Sequence, residues 1–255
     1  MLVVVAVLVA AFLLAPVLIV VPMSFSTAIS LQFPPPGYGL VYYRQYFTDP
    51  RWLYPTLNSV LIASGTMVLT LAVVIPASFA LVRHRFRVKT LANLLLMAPI
   101  TVPLVVSALA YYSSLGRLRL TGTHLGVILA HTALCIPVAL LVITAALKGF
   151  DANLERAAMS SGAGPWRTFW WVTLPVLRPG ILVGALFAFL HSFDETVVAV
   201  FISGRDAGTL PKKMFESVRL ESDPVISVVS TLLFSLVVLG SLIALLTRAR
   251  SRHAS

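Results

Sequence analysis

The stretch that decides the fold runs from Leu154 to Pro175 and reads LERAAMSSGAGPWRTFWWVTLP. It is a polar interruption between two strongly apolar runs, and it carries a pattern of its own. Asp151, just before it, can cap the start of a helix, and Glu155 then lies in the first turn, where the helix dipole favours an acid. Gly162 suits the position just after the end of such a helix. The pattern predicts a short helix between Asp151 and Gly162.

One side of this predicted helix carries only small residues, Ala157, Ala158 and Ser161. Such a face buries little area but permits close approach, so it fits a cleft on another protein. A second short helix is predicted to begin at Pro165, because proline is favoured at the first helical position. Leu174-Pro175 and Pro179 are expected to end it before the next apolar run. The alternative is an ordinary amphipathic connector lying on the membrane.

The composition of the whole chain indicates a membrane protein. The 255 residues are 58% hydrophobic and 11% charged, and the mean hydropathy is +0.94. A soluble domain of this length carries about a quarter charged residues. The net charge of +10 comes from basic residues in short loops beside apolar runs, which is typical of membrane orientation and not of nucleic-acid binding. The single cysteine, Cys135, excludes an intramolecular disulfide.

Six apolar runs are each about as long as a membrane-spanning helix requires. They cover residues 2–23, 56–82, 91–113, 124–147, 180–203 and 225–247. The first has no basic residues before it, so a spanning helix is favoured over a cleaved signal peptide. The absence of charge before Arg44 also suggests that a few natural residues precede Met1. Within this pattern, the sequence predicts an all-α integral membrane protein with a single domain over residues 1–255.

The orientation follows from the distribution of basic residues. The loop from Arg83 to Lys89 contains four basic residues and no acid, so it is placed in the cytoplasm. Both termini and the loop 148–178 then lie in the cytoplasm as well. With this assignment, 11 of the 19 Lys and Arg residues fall in inside segments and 8 in outside segments. The prediction is a multi-pass protein of the bacterial inner membrane with cytoplasmic N- and C-termini.

The loop 148–178 resembles the EAA loop of the permease subunits of ATP-binding-cassette (ABC) importers. That pattern consists of an EAA triplet, a glycine a few residues later, and a hydrophobic-x-Leu-Pro ending. The matching residues are Ala157, Ala158, Gly162, Ala163, Phe169 and Val172-Thr173-Leu174-Pro175. One departure is clear: Arg156 occupies the glutamate position, and Glu155 lies one residue early. The resemblance implies a type I permease fold in which this loop forms a coupling helix that docks into a cleft on an ATPase subunit. Because the glutamate position is occupied by Arg156, the docking of the helix is better supported than the family glutamate's polar contact with the ATPase.

Further residues resemble the spermidine/putrescine branch of these permeases. They are Asn58-Ser59, Ser192-Phe193-Asp194-Glu195, Gly204 and Thr209-Leu210-Pro211. The resemblance implies a second homologous permease subunit in a heterodimer, two ATPase subunits inside, a solute-binding protein outside, and surrounding membrane lipid. ATP and Mg²⁺ would be bound by the ATPases and no cofactor by this chain, which has no P-loop motif. Transport of a polyamine would proceed by alternating access, coupled through residues 151–171.

Asp194 and Glu195 fall within the fifth predicted span, where an unpaired charge is costly. Adjacent helical positions diverge by about 100°, so the two carboxylates are expected to point in different directions. One could line a pathway for a cationic solute, with Phe193 or Tyr111 adding cation–π contact. The equal alternative is a structural role, either as a pair with a basic residue of a partner subunit or with a proton kept on the acid.

A catalytic site or a metal site has weaker support in the sequence than a transport function. His191 lies one turn before Glu195 and His131 one turn before Cys135, but no third and fourth ligand are evident, so polar packing is favoured over a metal site. The sequence therefore predicts a transport subunit and not an enzyme. The alternatives are a proton-coupled secondary carrier and an intramembrane enzyme, either of which would use Asp194 or Glu195.

Overall fold

The computed structural model describes residues 2–221 and 223–253. Regular structure in these residues is helical, with one isolated antiparallel bridge between Ser26 and Tyr38. The chain forms two compact units, one from residues up to 54 together with those from 213 onward, and one from residues 55–212.

The first unit contains the two ends of the chain. Its helices are α1 (Leu2–Ser24), α2 (Val41–Thr48) and α12 (Val225–His253), and α12 packs against both α1 and α2. Trp52 is fully buried in this unit, and its indole N–H donates to Asp223 Oδ2 at 3.2 Å. A polar bond of this kind lets a large aromatic side chain be buried without an unsatisfied donor.

The second unit holds the middle of the chain. It contains most of α3 (Pro50–Arg83), then α4 (Lys89–Met97), a 3₁₀ turn (Ala98–Ile100), α5 (Leu104–Arg117), α6 (His124–Lys148), α7 (Ala152–Ser160), α8 (Pro165–Thr168), a π-helical segment (Phe169–Thr173), α9 (Leu174–Asp194), α10 (Val197–Ile202) and the start of α11 (Leu210–Glu216). A second π-helical segment (Ser217–Glu221) follows α11.

Helix α6 is the centre of the second unit. Of its apolar window, 61% is buried, against 28% for α3 and 22% for the helix from Pro165 to Asp194. The α6–α9 contact is close because it is made at small residues. A Cβ added at Gly180 would lie 2.4 Å from Ala146 Cβ, and one added at Gly184 would lie 3.0 Å from Ile143 Cγ1. The outer faces of α3 and α9 are exposed in the chain.

Four helices in the described part of the chain are long and apolar enough to cross a membrane: Pro50–Arg83, His124–Lys148, Pro165–Asp194 and Val225–Ile243. A bent pair, Lys89–Ile100 with Leu104–Arg117, brings the number to five if the two helices together form one span. Helix α1 is also apolar and 23 residues long, although some of its side chains lie outside the described residues. The predicted all-helical membrane architecture is confirmed, and the count of six spans stays a prediction.

Two of the expected spans are not continuous helices. The run 91–113 bends by 103° between Ile100 and Leu104, because Pro103 cannot donate a backbone hydrogen bond and disfavours helical geometry in the residue before it. The run 180–203 is interrupted between Asp194, the last residue of α9, and Val197, the first residue of α10. This second break lies at the acidic pair.

Candidate coupling loop and transmembrane acids

Helix α7 is capped at both ends by the residues that the sequence singled out. At its start, Asp151 Oδ1 accepts a hydrogen bond from the Asn153 N–H at 2.9 Å. At its end, Gly162 has a φ of +89°, its N–H donates to Met159 O, and the Ala163 N–H donates to Ala158 O. These two bonds form a Schellman motif, in which a glycine in the left-handed region closes the helix. The predicted short helix is confirmed.

The surface of α7 is open. None of the residues from Ala152 to Ser160 is buried, and two apolar side chains, Leu154 and Met159, are 44% and 46% exposed. Arg156 and Ala157 are exposed, whereas Ala158 is half-buried. A short helix that buries so little apolar area gains little from packing within its own chain.

What holds α7 in place is Glu155. Arg83 Nη1 lies 2.8 Å from each of the two carboxylate oxygens of Glu155, and the Thr173 hydroxyl donates to Glu155 Oε1. The side chains of Arg83 and Glu155 are 29% and 15% exposed, so this ion pair is partly shielded from water. The Arg83 guanidinium also lies over the rings of Phe79 and Phe150, at 4.9 and 5.3 Å from their centroids.

Arg83 and Thr173 are functional candidates that the sequence analysis missed. Arg83 precedes Glu155 by 72 positions, a separation at which no local pattern predicts contact. It ends α3, so the ion pair ties the last turn of a spanning helix to the first turn of α7. Thr173 closes the π-helical segment and ties the same carboxylate to the start of α9.

The second part of the loop differs from the expectation. Helix α8 does begin at Pro165, after Gly164, but Leu174-Pro175 does not end it: a continuous helix runs from Pro165 to Asp194. The prediction of a stop was wrong: Pro175 is the second residue of α9, just after the π-helical segment Phe169–Thr173, and Pro179 lies inside α9. A π turn changes the hydrogen-bond register, so the chain can accommodate a residue that lacks an N–H and still continue as helix.

Aromatic side chains cover this part of the loop. Trp166 and Phe169 each make an edge contact with Trp170, both at 5.7 Å between ring centroids, and Phe169 contacts Phe79 of α3 at the same distance. Trp171 is largely exposed. Aromatic residues that are partly packed and partly exposed are typical of the membrane–water interface.

The two acids have different environments, as expected. Asp194, the last residue of α9, is exposed, whereas Glu195 is only 7% exposed. The Glu195 carboxylate accepts a hydrogen bond from the Val198 N–H at 2.9 Å, so it satisfies a free donor in the first turn of α10. The two acids differ in environment because the helix breaks between α9 and α10, and not because of the step of about 100° between adjacent positions of one helix.

The aromatic residues proposed for the pathway lie in separate surroundings. Phe193 is half-buried and stacks on Phe189 with 5.9 Å between centroids. Tyr111 packs against a hydrophobic cluster formed by α5, α6 and α10, whose members include Leu115, Leu134 and Ile202.

A buried polar pair connects α6 to α9. His131 is fully buried, and its Nδ1 lies 2.9 Å from Ser192 Oγ. Cys135, His191 and Glu195 line the same small space. Among the described residues, no group of three or more His, Cys, Asp or Glu side chains is arranged to hold a metal ion. The other ring nitrogen of His131, Nε2, is buried and has no hydrogen-bond partner.

Asn58 and Ser59 of α3, which match the spermidine/putrescine pattern, contact the segment 206–210 before and at the start of α11. Asn58 Nδ2 donates to Asp206 O at 2.9 Å and to Gly208 O at 3.0 Å, and Asn58 Oδ1 lies 2.9 Å from His124 Nε2. Ser59 Oγ accepts from the Leu210 N–H at 2.8 Å. These bonds hold the loop before α11 against the start of α3.

Residues 72–252 match a family model described as "Binding-protein-dependent transport system inner membrane component". The chain is 32% identical over 251 residues to the putrescine transport system permease protein PotI of Escherichia coli K12, covering 94% of this chain and 88% of the relative. It is 30% identical over 241 residues to the spermidine/putrescine transport system permease protein PotC of Haemophilus influenzae, covering 91% and 92%. The molybdenum transport system permease protein ModB of Escherichia coli K12 is 33% identical over 184 residues, covering 66% and 80%.

The fold is similar to that in the crystal structure of a bacterial ABC transporter involved in the import of the acidic polysaccharide alginate. The TM-score is 0.77, with 16% sequence identity and coverage of 95% of each chain. At this identity the likeness supports the fold and not the cargo.

Proposed function

Because the chain belongs to the family of binding-protein-dependent transport system inner membrane components, it is a permease subunit of an ABC importer and not an enzyme, and we propose that its cargo is a polyamine. Such a subunit is a multi-pass protein of the inner membrane that works with ATPase subunits and a substrate-binding protein. The observation that carries the proposed cargo is the near full-length similarity to two relatives, PotI and PotC, named for putrescine and spermidine transport.

The acidic pair supports a cationic cargo. Asp194 presents an exposed carboxylate at the end of α9, and a carboxylate in a low-dielectric passage attracts an alkylammonium group. We assign the pathway role to Asp194, with Phe193 and Tyr111 as candidate aromatic contacts. Glu195 is engaged by Val198, so its role is to stabilise the break between α9 and α10.

The proposed coupling surface is α7 together with its glycine stop. Ala157, Ala158, Gly162 and Ala163 provide a narrow face for a cleft on an ATPase subunit, and Leu154 and Met159 add exposed apolar contact. Arg156 is exposed and can make a polar contact with the partner. Glu155 acts indirectly, because its carboxylate is already bound by Arg83 and Thr173. Leu174 and Pro175 connect the loop to α9 and transmit its movement.

The proposed assembly is a heterodimer with a second permease subunit, two ATPases on the cytoplasmic side, and a solute-binding protein outside. The basic loop from Arg83 to Lys89 supports a cytoplasmic position for the loop 148–178 and for both termini. When the ATPases close, α7 would be displaced, and the ion pair with Arg83 would pass that displacement to α3. The spans would then rearrange around the solute by alternating access.

The test is uptake by the purified complex in proteoliposomes. The chain is co-expressed with a partner ATPase, a second permease and a solute-binding protein. Radiolabelled putrescine is supplied with the binding protein on one side of the membrane and ATP on the other. We expect ATP-dependent putrescine uptake and no uptake of molybdate. Molybdate uptake without putrescine uptake would overturn the polyamine cargo, and ATP-independent uptake by this chain alone would overturn coupling to an ATPase.

A further inference from the structure

We propose that a groove between the ends of α3, α4 and α6 binds the headgroup of an anionic phospholipid. This site is separate from the proposed cargo pathway and from the docking face of α7. The groove has a volume of about 710 Å³. Its lining residues are Leu81, Val82, Lys89, Thr90, Asn93, Met97, Leu140, Leu141, Thr144 and Lys148.

The mouth of the groove is basic. Lys89 is the first residue of α4 and Lys148 is the last residue of α6, and both line the same opening. Lys89 Nζ also donates to His84 O at 3.4 Å. None of the lining residues is an acid. The start of α4 also directs the positive end of its helix dipole toward this mouth. The mouth therefore favours a phosphate-bearing ligand.

The polarity of the groove changes with depth. Four residues into α4 from Lys89 lies Asn93, and four residues back along α6 from Lys148 lies Thr144, each about 6 Å from the mouth at 1.5 Å per residue. Another four residues inward, about 12 Å from the mouth, the lining is apolar, with Met97 on α4 and Leu140 on α6. Both helices thus run from charged to polar to apolar over the same length.

This gradient matches a phospholipid and not a free phosphate. The phosphate lies at the lysines, the polar glycerol and ester region at Asn93 and Thr144, and the start of the acyl chains on the apolar floor. A free phosphate would use only the mouth and leave the apolar floor in contact with water. Two of the three helices that form the groove, α3 and α6, are long and apolar enough to span the membrane, so the groove lies beside segments that contact lipid.

The test measures lipid binding to the full chain by native mass spectrometry, with phosphatidylglycerol and phosphatidylcholine of identical acyl chains. We expect the wild type to retain phosphatidylglycerol more tightly. Lys89→Gln and Lys148→Gln should each weaken its binding about 5-fold, and the double variant about 25-fold. Binding of phosphatidylcholine should not change.

The matched control is Arg117→Gln/Arg119→Gln, which removes the same charge at the C-terminal end of α5. It should retain phosphatidylglycerol, and so should Lys89→Arg/Lys148→Arg, which keeps the charge at the groove. Equal wild-type affinity for the two lipids would overturn the site. An equal loss of phosphatidylglycerol affinity in the Arg117→Gln/Arg119→Gln control would overturn it as well. Complete displacement of the lipid by excess inorganic phosphate would assign the groove to a soluble anion and overturn the lipid. Thermal unfolding in phosphatidylcholine verifies that each variant is folded.

Discussion

At the scale of single residues, Glu155 is the side chain that joins the loop to the membrane helices. Its carboxylate receives Arg83 from the end of α3 and Thr173 from the start of α9. Arg83 approaches through one nitrogen, Nη1, which contacts both carboxylate oxygens, and a charge-assisted hydrogen bond is stronger than a neutral one. Arg83 is further restrained by the rings of Phe79 and Phe150. The coupling helix is therefore attached through its first turn, while Ala157 and Ser161 of its small-residue face stay exposed.

Breaking the Arg83–Glu155 pair should impair coupling. In Arg83→Gln or Glu155→Gln, α7 loses its attachment to α3, so we expect less solute transported per ATP hydrolysed. The double variant should be no worse than either single variant, with an interaction energy on the order of 1 kcal/mol in a double-mutant cycle of thermal stability.

Arg85→Gln is the matched control for that pair, because it removes one basic residue from the adjacent exposed loop. Its transport per ATP should equal that of the wild type. Additive effects of Arg83→Gln and Glu155→Gln would show that the two residues act independently and would contradict the proposed attachment.

The two acids should respond differently to neutralisation. Asp194→Asn removes an exposed charge from the proposed pathway, and we expect a rise of about 5-fold in the KM for putrescine, which corresponds to roughly 1 kcal/mol of lost attraction. Glu195→Ala removes the acceptor for the Val198 N–H, and we expect a loss of about 1 kcal/mol in stability with little change in KM. Uptake kinetics and thermal unfolding distinguish the two effects. An unchanged KM in Asp194→Asn would exclude it from the pathway.

At the scale of elements, the start and end of each short helix in the loop are determined by residues close to them in sequence. Asp151 begins α7, Gly162 ends it, and Pro165 begins α8. The π-helical segment Phe169–Thr173 then lets the chain continue into α9 without a stop at Pro175. The loop is therefore directly continuous with a spanning helix, so a displacement of the loop can be passed to α9 without an intervening flexible segment.

Replacing Gly162 should uncouple the loop. At a φ of +89°, a residue with a side chain costs about 1–2 kcal/mol, and a β-branched one more. Gly162→Val should therefore unwind the last turn of α7 and reduce uptake while ATP hydrolysis and membrane insertion continue. Both rates are measured in the reconstituted complex. Gly164→Ala is the control, since Gly164 has a negative φ and open space around it. Normal uptake in Gly162→Val would contradict the docking role.

At the scale of the whole molecule, the two breaks in the predicted spans set where the helices can bend. Pro103 bends the α4–α5 crossing, and the α9–α10 break lies at Glu195. An interrupted span exposes backbone groups that must be satisfied within the protein or by a water-filled cavity. The Glu195 carboxylate satisfies one of them, which ties the acidic pair to the geometry of the break.

The orientation can be tested by cysteine labelling. Cys135 is buried and free, so Cys135→Ala provides a background without cysteine. In that background, we expect Arg85→Cys to react with a membrane-impermeant maleimide in inside-out vesicles, where the cytoplasmic face is accessible to the reagent, and not in intact spheroplasts. Arg205→Cys should react in intact spheroplasts. The reverse pattern would invert the proposed topology.

The sequence by itself determined the membrane class, the general positions of the apolar helices, and the start and stop of α7. These depend on hydropathy and on capping between residues a few positions apart, so a linear pattern contains them. Only the tertiary structure decided that Glu155 is bound by Arg83 and that Lys89 and Lys148 share one groove. Each of these depends on how distant helices pack, because the side chains involved meet only after the spans have come together.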